Sequence, residues 1–303
     1  MMNKIRELFN EDFQPSTYIR VGNNKKIRFY VGKDEDSLYS FEFRGRFVPH
    51  RLLGSEVISV QQFQNNAELC LRFSLKDIEF LDCFCIFCSD LLESTNSIED
   101  DVSAYNELTN RYLSWRKLFS MNHGIMSENE IMGLVGELLY LKDYIVPNYG
   151  AETALDCWVG PDKTHKDFSV ETDWFEIKAI NTGKETIRIS SIEQLDAEIN
   201  GHLVVYKLER MSPSFHGISL NMLVEMIVNI LKSRILVDIF YNKLSNYGYN
   251  FSSDYDNYVY SVANPDTYLV TSSFPKMSRG NLPLAIGKIQ YELFLSEIEP
   301  YKI

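Results

Sequence analysis

An acidic residue and a lysine stand two positions apart in the apolar segment FEIKA, as Glu176 and Lys178. Alternation of apolar residues predicts a strand from 173 to 180, and side chains two positions apart on a strand point to the same face. A carboxylate and an ammonium group would therefore lie side by side among large apolar groups. Because removing such charges from water is costly, the pair requires compensation from mutual pairing, hydrogen bonds or a metal ion.

A second carboxylate, Asp167, comes nine residues before Glu176. If HKDFSVE and DWFEIKAI are adjacent strands joined by a tight turn near Glu171 and Thr172, then Asp167, Glu176 and Lys178 converge at one end of the sheet. Two carboxylates on neighbouring strands suit Mg²⁺, which prefers oxygen ligands and keeps several waters. A nearby lysine can orient or deprotonate such a water and stabilise developing phosphate charge.

Glu137 adds a third carboxylate from a predicted helix. It lies three residues after Leu134 and four before Leu141, so it shares their apolar face. Gly133 and Gly136 leave little bulk beside it and allow a partner to approach closely. We therefore expect Glu137 to lean inward, towards the metal site of the predicted sheet.

Structural roles for the same residues compete with this hypothesis. Taken alone, Glu176 and Lys178 fit a same-face ion pair on an edge strand, a surface feature that contributes little to stability. They also fit a structural ion pair in an unrelated fold. Glu137 alone fits a helix-surface position at the margin of the apolar stripe. The combination of these residues with Asp167, in this order along the chain, favours the metal site.

The elements that must position these residues begin with a predicted antiparallel meander. Five alternating runs separated by turn residues read as strands: STYIRV, KIRFYVG, LYSFEFRG, VISVQQF and ELCLRFSL. Helical periodicity then predicts two packed helices, DIEFLDCFCIFCSDLLEST and SAYNELTNRYLSWRKLFS. The next predicted helix, SENEIMGLVGELLYLKDYIV, carries a capping-box pattern of Ser127 with Glu130, and Pro147 follows its predicted end.

A mixed α/β pattern follows this helix. The segments ALDCWVG, HKDFSVE, DWFEIKAI and TIRIS are predicted strands, SSIEQLDAEI is a predicted helix and HLVVYKLE is a predicted buried strand. Beyond them lie a helix around LNMLVEMIVNILKSRI, a Tyr-rich loop from Tyr241 to Tyr260, and the strands TYLV and AIGKIQYELF. The predicted organisation is a β-rich module with a helical tail in 1–122, an α/β core in 123–210 and an α/β extension in 211–303.

Composition predicts a folded protein of the cytoplasm. Its 303 residues are 45% hydrophobic and 13% aromatic, which excludes global disorder and suits two or three structural units. No apolar run reaches the roughly 20 residues that span a bilayer, so we expect no membrane partner, and five cysteines without a secretion signal predict free thiols. The formal net charge of -12 means that any nucleic-acid contact needs a local basic patch.

The order of these features resembles the PD-(D/E)XK nuclease superfamily: Glu on a helix, Asp at a strand start, Glu-x-Lys on the next strand, then a helix and a strand. The superfamily motif spans about 127–209. More narrowly, GLVGELLYL, ALDCWVGPDKTHKDF, FEIKA and ISSIEQLD resemble an uncharacterised bacterial group described as PD-(D/E)XK family members, over most of the chain. The resemblance implies a mixed α/β (α+β) fold, with a restriction-endonuclease-like core whose central sheet is flanked by helices, beside the N-terminal antiparallel module.

Carried over to this sequence, the resemblance implies a role for each residue of the motif. Asp167 and Glu176 would bind a divalent metal, Mg²⁺ or Mn²⁺, and Lys178 would position the attacking water. Glu137 would assist the metal or a ligand, and so counts as a third candidate metal residue. Gln194, on the predicted helix after the core strands, matches a polar position that some relatives use near the site.

The literal Pro-Asp dipeptide of the motif is Pro161-Asp162, five residues before Asp167. We prefer Asp167 as the ligand because it adjoins a strand pattern in which Phe168 and Val170 face the other side. Asp162 instead lies in a GPDK turn.

The resemblance implies metal-dependent hydrolysis of DNA phosphodiester bonds, in restriction or defence against foreign DNA. The partners it allows are DNA, partner subunits of a defence system and a second copy of the chain, and the N-terminal module would recognise DNA or a partner subunit. The cations that lie closest to the predicted site and suit phosphate contact are Lys163, His165, Lys166, Lys184 and Arg188. The alternative function is a noncatalytic subunit that keeps the nuclease fold and either assembles with other proteins through its acidic, aromatic surface or binds DNA.

Overall fold

A computed structural model describes residues 2–11, 13–65, 67–119, 125–162, 165–170, 173–283 and 285–303. The chain divides into two compact units. The N-terminal unit comprises Met1–Ile125 with Tyr249–Ser253, and the core unit comprises Met126–Gly248 with Asp254–Ile303. The three-part division of the sequence at residues 122 and 210 stays a prediction. Within the described ranges, no helix combines the length and apolar character needed to cross a bilayer.

A five-stranded antiparallel sheet forms the N-terminal unit, and every predicted strand of the meander is confirmed. The strands are β1 (Thr17–Val21), β2 (Arg28–Lys33), β3 (Tyr39–Gly45), β4 (Ile58–Asn65) and β5 (Glu68–Leu75). Their order is β1-β2-β3-β5-β4, so the last two strands exchange places relative to a simple meander. The fold class predicted for this part of the chain is therefore correct.

One face of this sheet packs against helices. These are α1 (Met2–Phe9), α2 (Leu81–Ser94) and α3 (Asp101–Leu118). Aromatic side chains carry the contact, since the Phe73 ring of β5 lies 5.3 Å from the Phe87 ring and 4.9 Å from the Tyr112 ring. The later segment of this unit joins the same core, because the Phe251 ring stacks on Trp115 at 5.2 Å.

A mixed sheet organises the core unit, as the predicted fold class requires. Its strands, with those of a separate pair, are β6 (Phe168–Val170), β7 (Asp173–Asn181), β8 (Thr186–Ile189), β9 (Gly201–Met211), β10 (Val259–Val262), β11 (Asp266–Val270) and β12 (Tyr291–Phe294). The order is β10-β9-β7-β6, with β11 also paired to β9, and β8 pairs with β12. Strands β7 and β9 are parallel, whereas the other pairs are antiparallel.

The helices of the core unit are α4 (Glu128–Tyr140), α5 (Val146–Tyr149), α6 (Ala151–Cys157), α7 (Leu220–Leu231), α8 (Arg234–Tyr247) and α9 (Leu295–Ile298). Helix α4 begins with the predicted capping box, in which Ser127 and Glu130 each satisfy the other's backbone N–H. It packs on β7 through Gly136, where an added Cβ would lie 3.1 Å from the Cβ of Ala179. This close approach brings the next residue, Glu137, to the sheet.

The predicted strand ALDCWVG is wrong, because most of it forms helix α6. Ala, Glu and Leu in AETALDC favour helix, and Ala154 and Leu155 are fully buried in that form. Pro147 does not end the preceding helical run, because it occupies the first turn of α5, where a missing N–H does no harm. The Tyr-rich segment is also more ordered than predicted, since α8 continues through Tyr247.

The predicted helix SSIEQLDAEI is also wrong, and only a 3₁₀ turn forms, at Ile192–Gln194. The Lys166 ammonium group donates to the carbonyl oxygens of Glu193 and Gln194, each at 2.7 Å. A longer helix would use such carbonyls internally, so this tertiary contact competes with helix formation. The predicted strand AIGKIQYELF is likewise shortened to β12, Tyr291–Phe294.

The other face of the N-terminal sheet buries a charged side chain. Glu42 is 1% exposed and lies between Phe41 and Phe43, which alternation directs to the helical side. Its Oε1 accepts from Arg72 Nε at 2.8 Å, and its Oε2 accepts from Arg44 Nε at 2.8 Å. Two guanidinium groups therefore balance this carboxylate, and Glu42 is the buried partner of Arg72, whose other ion pair is with the exposed Glu35.

Glu42→Ala should lower the free energy of unfolding of the N-terminal unit by on the order of 3 kcal/mol, because it leaves the buried Arg72 with only the exposed carboxylate of Glu35 as an anionic partner. Denaturant unfolding followed by circular dichroism measures the change. Glu68→Ala is the matched control, since Glu68 pairs with Arg28 while remaining 28% exposed. Its removal should cost about 1 kcal/mol or less. Equal losses in the two variants would contradict the role of burial.

Candidate functional site

Strands β6 and β7 place Asp167 beside Glu176. Phe168 pairs with Phe175 in the antiparallel ladder, and Asp167 and Glu176 are the next residues outward on the two strands. Asp167 continues the connection through its side chain, because its Oδ2 accepts the Ile177 N–H at 2.7 Å. The backbone of β7 therefore fixes the orientation of the Asp167 carboxylate.

Glu176 and Lys178 form a buried ion pair. Lys178 Nζ donates to Glu176 Oε1 at 2.6 Å, and the side chains are 16% and 1% exposed, respectively. Strand β7 lies between β6 and β9 in the sheet. The pair is therefore not the exposed surface pair considered from the sequence, and its desolvation must be balanced by its surroundings.

Glu137 enters the same region from α4 and is 5% exposed. Its Oε1 accepts the Tyr247 hydroxyl at 2.7 Å, and its Oε2 accepts Trp158 Nε1–H at 2.8 Å. Gly160 lies against both acidic residues, because a Cβ added there would lie 2.7 Å from Glu137 Oε2 and 3.3 Å from Asp167 Oδ1. A larger residue at this position would collide with the carboxylates that meet there.

The surroundings raise the pKa of all three carboxyl groups. Burial, followed by the charge of Asp167, raises the pKa of Glu176 to about 8. Burial raises the pKa of Asp167, and burial with the charge of Asp167 lifts the pKa of Glu137 well above its ordinary value. Burial acts to lower the pKa of Lys178, but the charges of Glu176 and Asp167 outweigh it and raise that pKa. The cluster would gain free energy from an added positive charge.

One oxygen of this cluster is suited to a metal ion. Glu176 Oε2 is buried and has no hydrogen-bond partner among the described residues. Such an oxygen is a good ligand for a hard cation. In the described part of the chain, however, no three His, Cys, Asp or Glu side chains are arranged to hold a metal ion. The residues therefore fit a site with two carboxylates, Asp167 and Glu176, completed by waters, and direct binding by Glu137 stays a prediction.

Gln194 lies in the 3₁₀ turn and not on a helix. Its Oε1 accepts the Ser190 N–H at 2.7 Å, and its carbonyl oxygen is one of the two that accept from Lys166. The Lys166 ammonium group also lies 3.7 Å from the centroid of the Trp174 ring. Burial lowers the pKa of Lys166 to about 8. The role predicted for Gln194 near the site stays a prediction.

Asp162, the acidic residue of the literal Pro-Asp dipeptide, forms an ion pair with Lys243, with 3.2 Å between Oδ2 and Nζ. Its carboxylate thus has a cationic partner of its own. Lys163, a predicted phosphate contact, lies outside the described residues. The turn predicted near Glu171 and Thr172 lies outside them as well.

Two residues of the site, Trp158 and Tyr247, were not predicted from the sequence. Trp158 falls in the segment that was predicted as a strand, and Tyr247 is 110 residues from its partner Glu137. The signal that points to Tyr247 is Gly133, one helical turn before Glu137 on α4. A Cβ added at Gly133 would lie 3.4 Å from the Tyr247 hydroxyl oxygen, so the glycine leaves room for it.

The raised pKa of Glu176 predicts a pH-dependent stability in metal-free buffer. The folded protein binds a proton at Glu176 more tightly than the unfolded chain does, so this contribution to stability is lost as pH rises from 4.5 to about 8. Glu176→Gln should remove a slope of up to about 1.4 kcal/mol per pH unit. Thermal unfolding across this pH range measures it, and Glu225→Gln, an exposed position on α7, should follow the wild type. Identical profiles for Glu176→Gln and wild type would contradict the prediction.

A comparison with known protein families identifies one that matches most of the chain. A family model described as "Putative PD-(D/E)XK family member, (DUF4420)" matches residues 6–296. No curated protein and no solved structure matches the chain. The family match covers Glu137, Asp167, Glu176 and Lys178, and it confirms the resemblance inferred from their order. This chain is a member of that PD-(D/E)XK family.

Proposed function

We propose that this protein is a nuclease that hydrolyses DNA phosphodiester bonds with the help of a divalent metal ion. The observation that carries the proposal is the buried cluster of Glu137, Asp167 and Glu176 beside Lys178, in which Glu176 Oε2 has no described partner. Negative groups gather there although each is costly to bury. A role in stability alone would be served better by apolar side chains. Membership of the family supports the same conclusion.

Asp167 and Glu176 would hold the cation, and Mg²⁺ or Mn²⁺ suits their oxygen ligands. Such a cation, when bound, polarises a phosphoryl oxygen and lowers the pKa of a water molecule. The protein fixes both carboxylates beforehand, because Ile177 N–H donates to Asp167 and Lys178 donates to Glu176. This preorganisation reduces the rearrangement needed when substrate binds.

Lys178 would act on the attacking water and on the phosphate. Its ammonium group has three N–H donors, one of which is donated to Glu176 Oε1. An ammonium group at this position orients the water and stabilises the negative charge that develops on the phosphate oxygens. The water oxygen bonds to phosphorus while one P–O ester bond breaks, and the products are a phosphate monoester and a free hydroxyl.

A basic loop supports DNA as the substrate. Segment 271–290, between β11 and β12, contains Lys276, Arg279 and Lys288 and no acidic residue, although the whole chain has a formal net charge of -12. A DNA backbone requires a local excess of positive charge to approach an acidic protein. Lys276 and Lys288 would provide that excess, since Arg279 is paired with Glu193.

Contacts connect this basic loop to the acidic cluster. Arg279 Nη2 donates to Glu193 Oε1 at 2.9 Å, and the carbonyl oxygen of Glu193 accepts from Lys166. Lys166 is the residue before Asp167. A phosphate backbone that follows the loop would therefore be led towards the carboxylates.

Restriction of foreign DNA is the role that we propose for this activity.

A noncatalytic subunit is the second candidate function. Two observations favour it: the net charge of -12, and the lack, among the described residues, of three side chains arranged to hold a metal ion. Such a subunit would keep the fold and bind partner proteins through its acidic surface. The two candidates differ in whether the purified protein binds a divalent metal and cleaves DNA.

Purified protein should cleave supercoiled or linear DNA in Mg²⁺ or Mn²⁺, and a chelator should abolish cleavage. Lys178→Ala should lower the rate by about 100-fold or more, because it removes the group that orients water and stabilises the transition state. Asp167→Asn should also inactivate the protein. Asp162→Asn is the matched control and should retain activity, since the Asp162 carboxylate pairs with Lys243 instead.

Two results would contradict this proposal. Cleavage that persists in Lys178→Ala and in chelator would separate the activity from this site. Absence of cleavage, together with no heat of Mg²⁺ or Mn²⁺ binding in calorimetry, would favour the noncatalytic subunit.

Reversing the charge of the basic loop, with Lys276→Glu and Lys288→Glu together, should weaken DNA binding and lower the slope of log affinity against log salt by about 1 for each lost phosphate contact. Fluorescence anisotropy of labelled DNA at several salt concentrations measures both effects. The control is Lys142→Glu with Lys232→Glu, which changes the net charge equally at other positions of the core unit. Equal weakening in the two double variants would assign the effect to net charge instead of to the loop.

A further inference from the structure

The Glu137 carboxylate is held at both oxygens by neutral donors. The Tyr247 hydroxyl donates to Oε1 at 2.7 Å, and the Trp158 indole N–H donates to Oε2 at 2.8 Å. Trp158 is fully buried and Glu137 nearly so. The two donors come from separate parts of the core unit, and they fix the plane and direction of the carboxylate.

Neutral donors orient a carboxylate without cancelling its charge. The buried carboxylate of the N-terminal unit, Glu42, is satisfied differently, by the guanidinium groups of Arg44 and Arg72. A carboxylate with a purely structural role is best balanced by such cations. No cation among the described residues neutralises Glu137, so a metal ion beside Asp167 would supply its counter-charge and oppose the rise in its pKa.

Helix α8 is built to deliver this contact. Lys243, one turn before Tyr247, donates from Nζ to the Trp158 carbonyl oxygen at 2.7 Å, and the Phe240 ring lies 5.9 Å from the Trp158 ring. Helix α8 therefore carries one donor to Glu137 and holds the other in place. On the facing helix α4, the small residue Gly133 leaves room for the Tyr247 hydroxyl, as described above.

We infer that Tyr247 is a positioning residue of the active site: together with Trp158, it directs Glu137 as the third carboxylate towards the cation held by Asp167 and Glu176. This inference rests on the proposed function and extends the proposed active site to helix α8. Helix α8 lies beyond residue 210, where the sequence predicted the core to end. Partners that orient metal-facing groups typically change metal affinity by 10- to 100-fold when removed.

Tyr247→Phe tests this inference, because it removes the hydroxyl and keeps the ring. We expect about 10-fold weaker Mn²⁺ binding in calorimetry, and about 10-fold more Mg²⁺ for half-maximal DNA cleavage. Tyr258→Phe is the matched control in the same unit and should behave as wild type. The Tyr258 ring centroid lies 4.2 Å from the guanidinium carbon of Arg210. Glu137→Gln should show a larger loss, and adding Tyr247→Phe to it should change little, because the two residues act as one unit.

A purely structural role would give a different pattern. Tyr247→Phe would then lower the melting temperature while leaving the metal dependence of binding and cleavage unchanged, and this result would overturn the inference. If Tyr247→Phe does not fold, Trp158→Phe removes the other donor from the same carboxylate and should weaken Mn²⁺ binding similarly. An unchanged Mn²⁺ affinity in that variant would also overturn the inference.

The outcomes separate this inference from the proposed function. Wild-type protein that binds Mn²⁺ without cleaving DNA would contradict the nuclease activity, while the calorimetric comparison of variants would still decide the role of Tyr247. If the wild type cleaves DNA and Tyr247→Phe has the same Mn²⁺ affinity and the same Mg²⁺ dependence of cleavage, the inference is overturned and the nuclease activity stands. Wild-type protein that binds no metal would overturn both.

Discussion

The burial of three carboxyl groups at one place is the constraint around which the core unit is arranged. Glu137, Asp167 and Glu176 come from α4, the position before β6 and the middle of β7. Burial raises the pKa of each, and the charge of Asp167 adds to the rise at Glu137 and Glu176. A chain free to relax would separate such groups. Here the close packing of Gly136 on β7 and the small Gly160 hold them together. The fold thus holds acidic groups together where their ionised forms are costly, and a bound cation would lower that cost.

The net charge of the whole chain imposes a second constraint. The proposed DNA substrate would have to approach a chain with a formal net charge of -12 and then reach a cluster that is itself acidic. The long-range field of the protein opposes this approach, and salt screens it beyond about a Debye length. Only a local arrangement can reverse its sign. The basic loop 271–290 and the cation proposed between Asp167 and Glu176 would each be a local source of positive charge.

Strand alternation, turn residues and helix capping correctly predicted the parts of the fold and site that depend on a few neighbouring residues. Strand alternation correctly placed Glu176 and Lys178 on one face, and the turn-separated runs and the capping box were visible because each depends on a few neighbouring residues. Partners distant in the chain could not be predicted. Tyr247 reaches Glu137 across 110 positions. The helix expected after β8 failed for the same reason, because Lys166 competes for its carbonyl oxygens.

The N-terminal unit is discontinuous in the chain, and this affects the order in which the protein can be completed during synthesis. Its last segment, Tyr249–Ser253, follows α8 directly, and Phe251 supplies a ring to the stack on Trp115. A nascent chain that has emerged only to residue 125 therefore lacks part of its own first unit. The ribosome must translate most of the core unit before the first unit can close. Folding of the two units is thus coupled by translation order, and neither unit corresponds to an uninterrupted stretch of the gene.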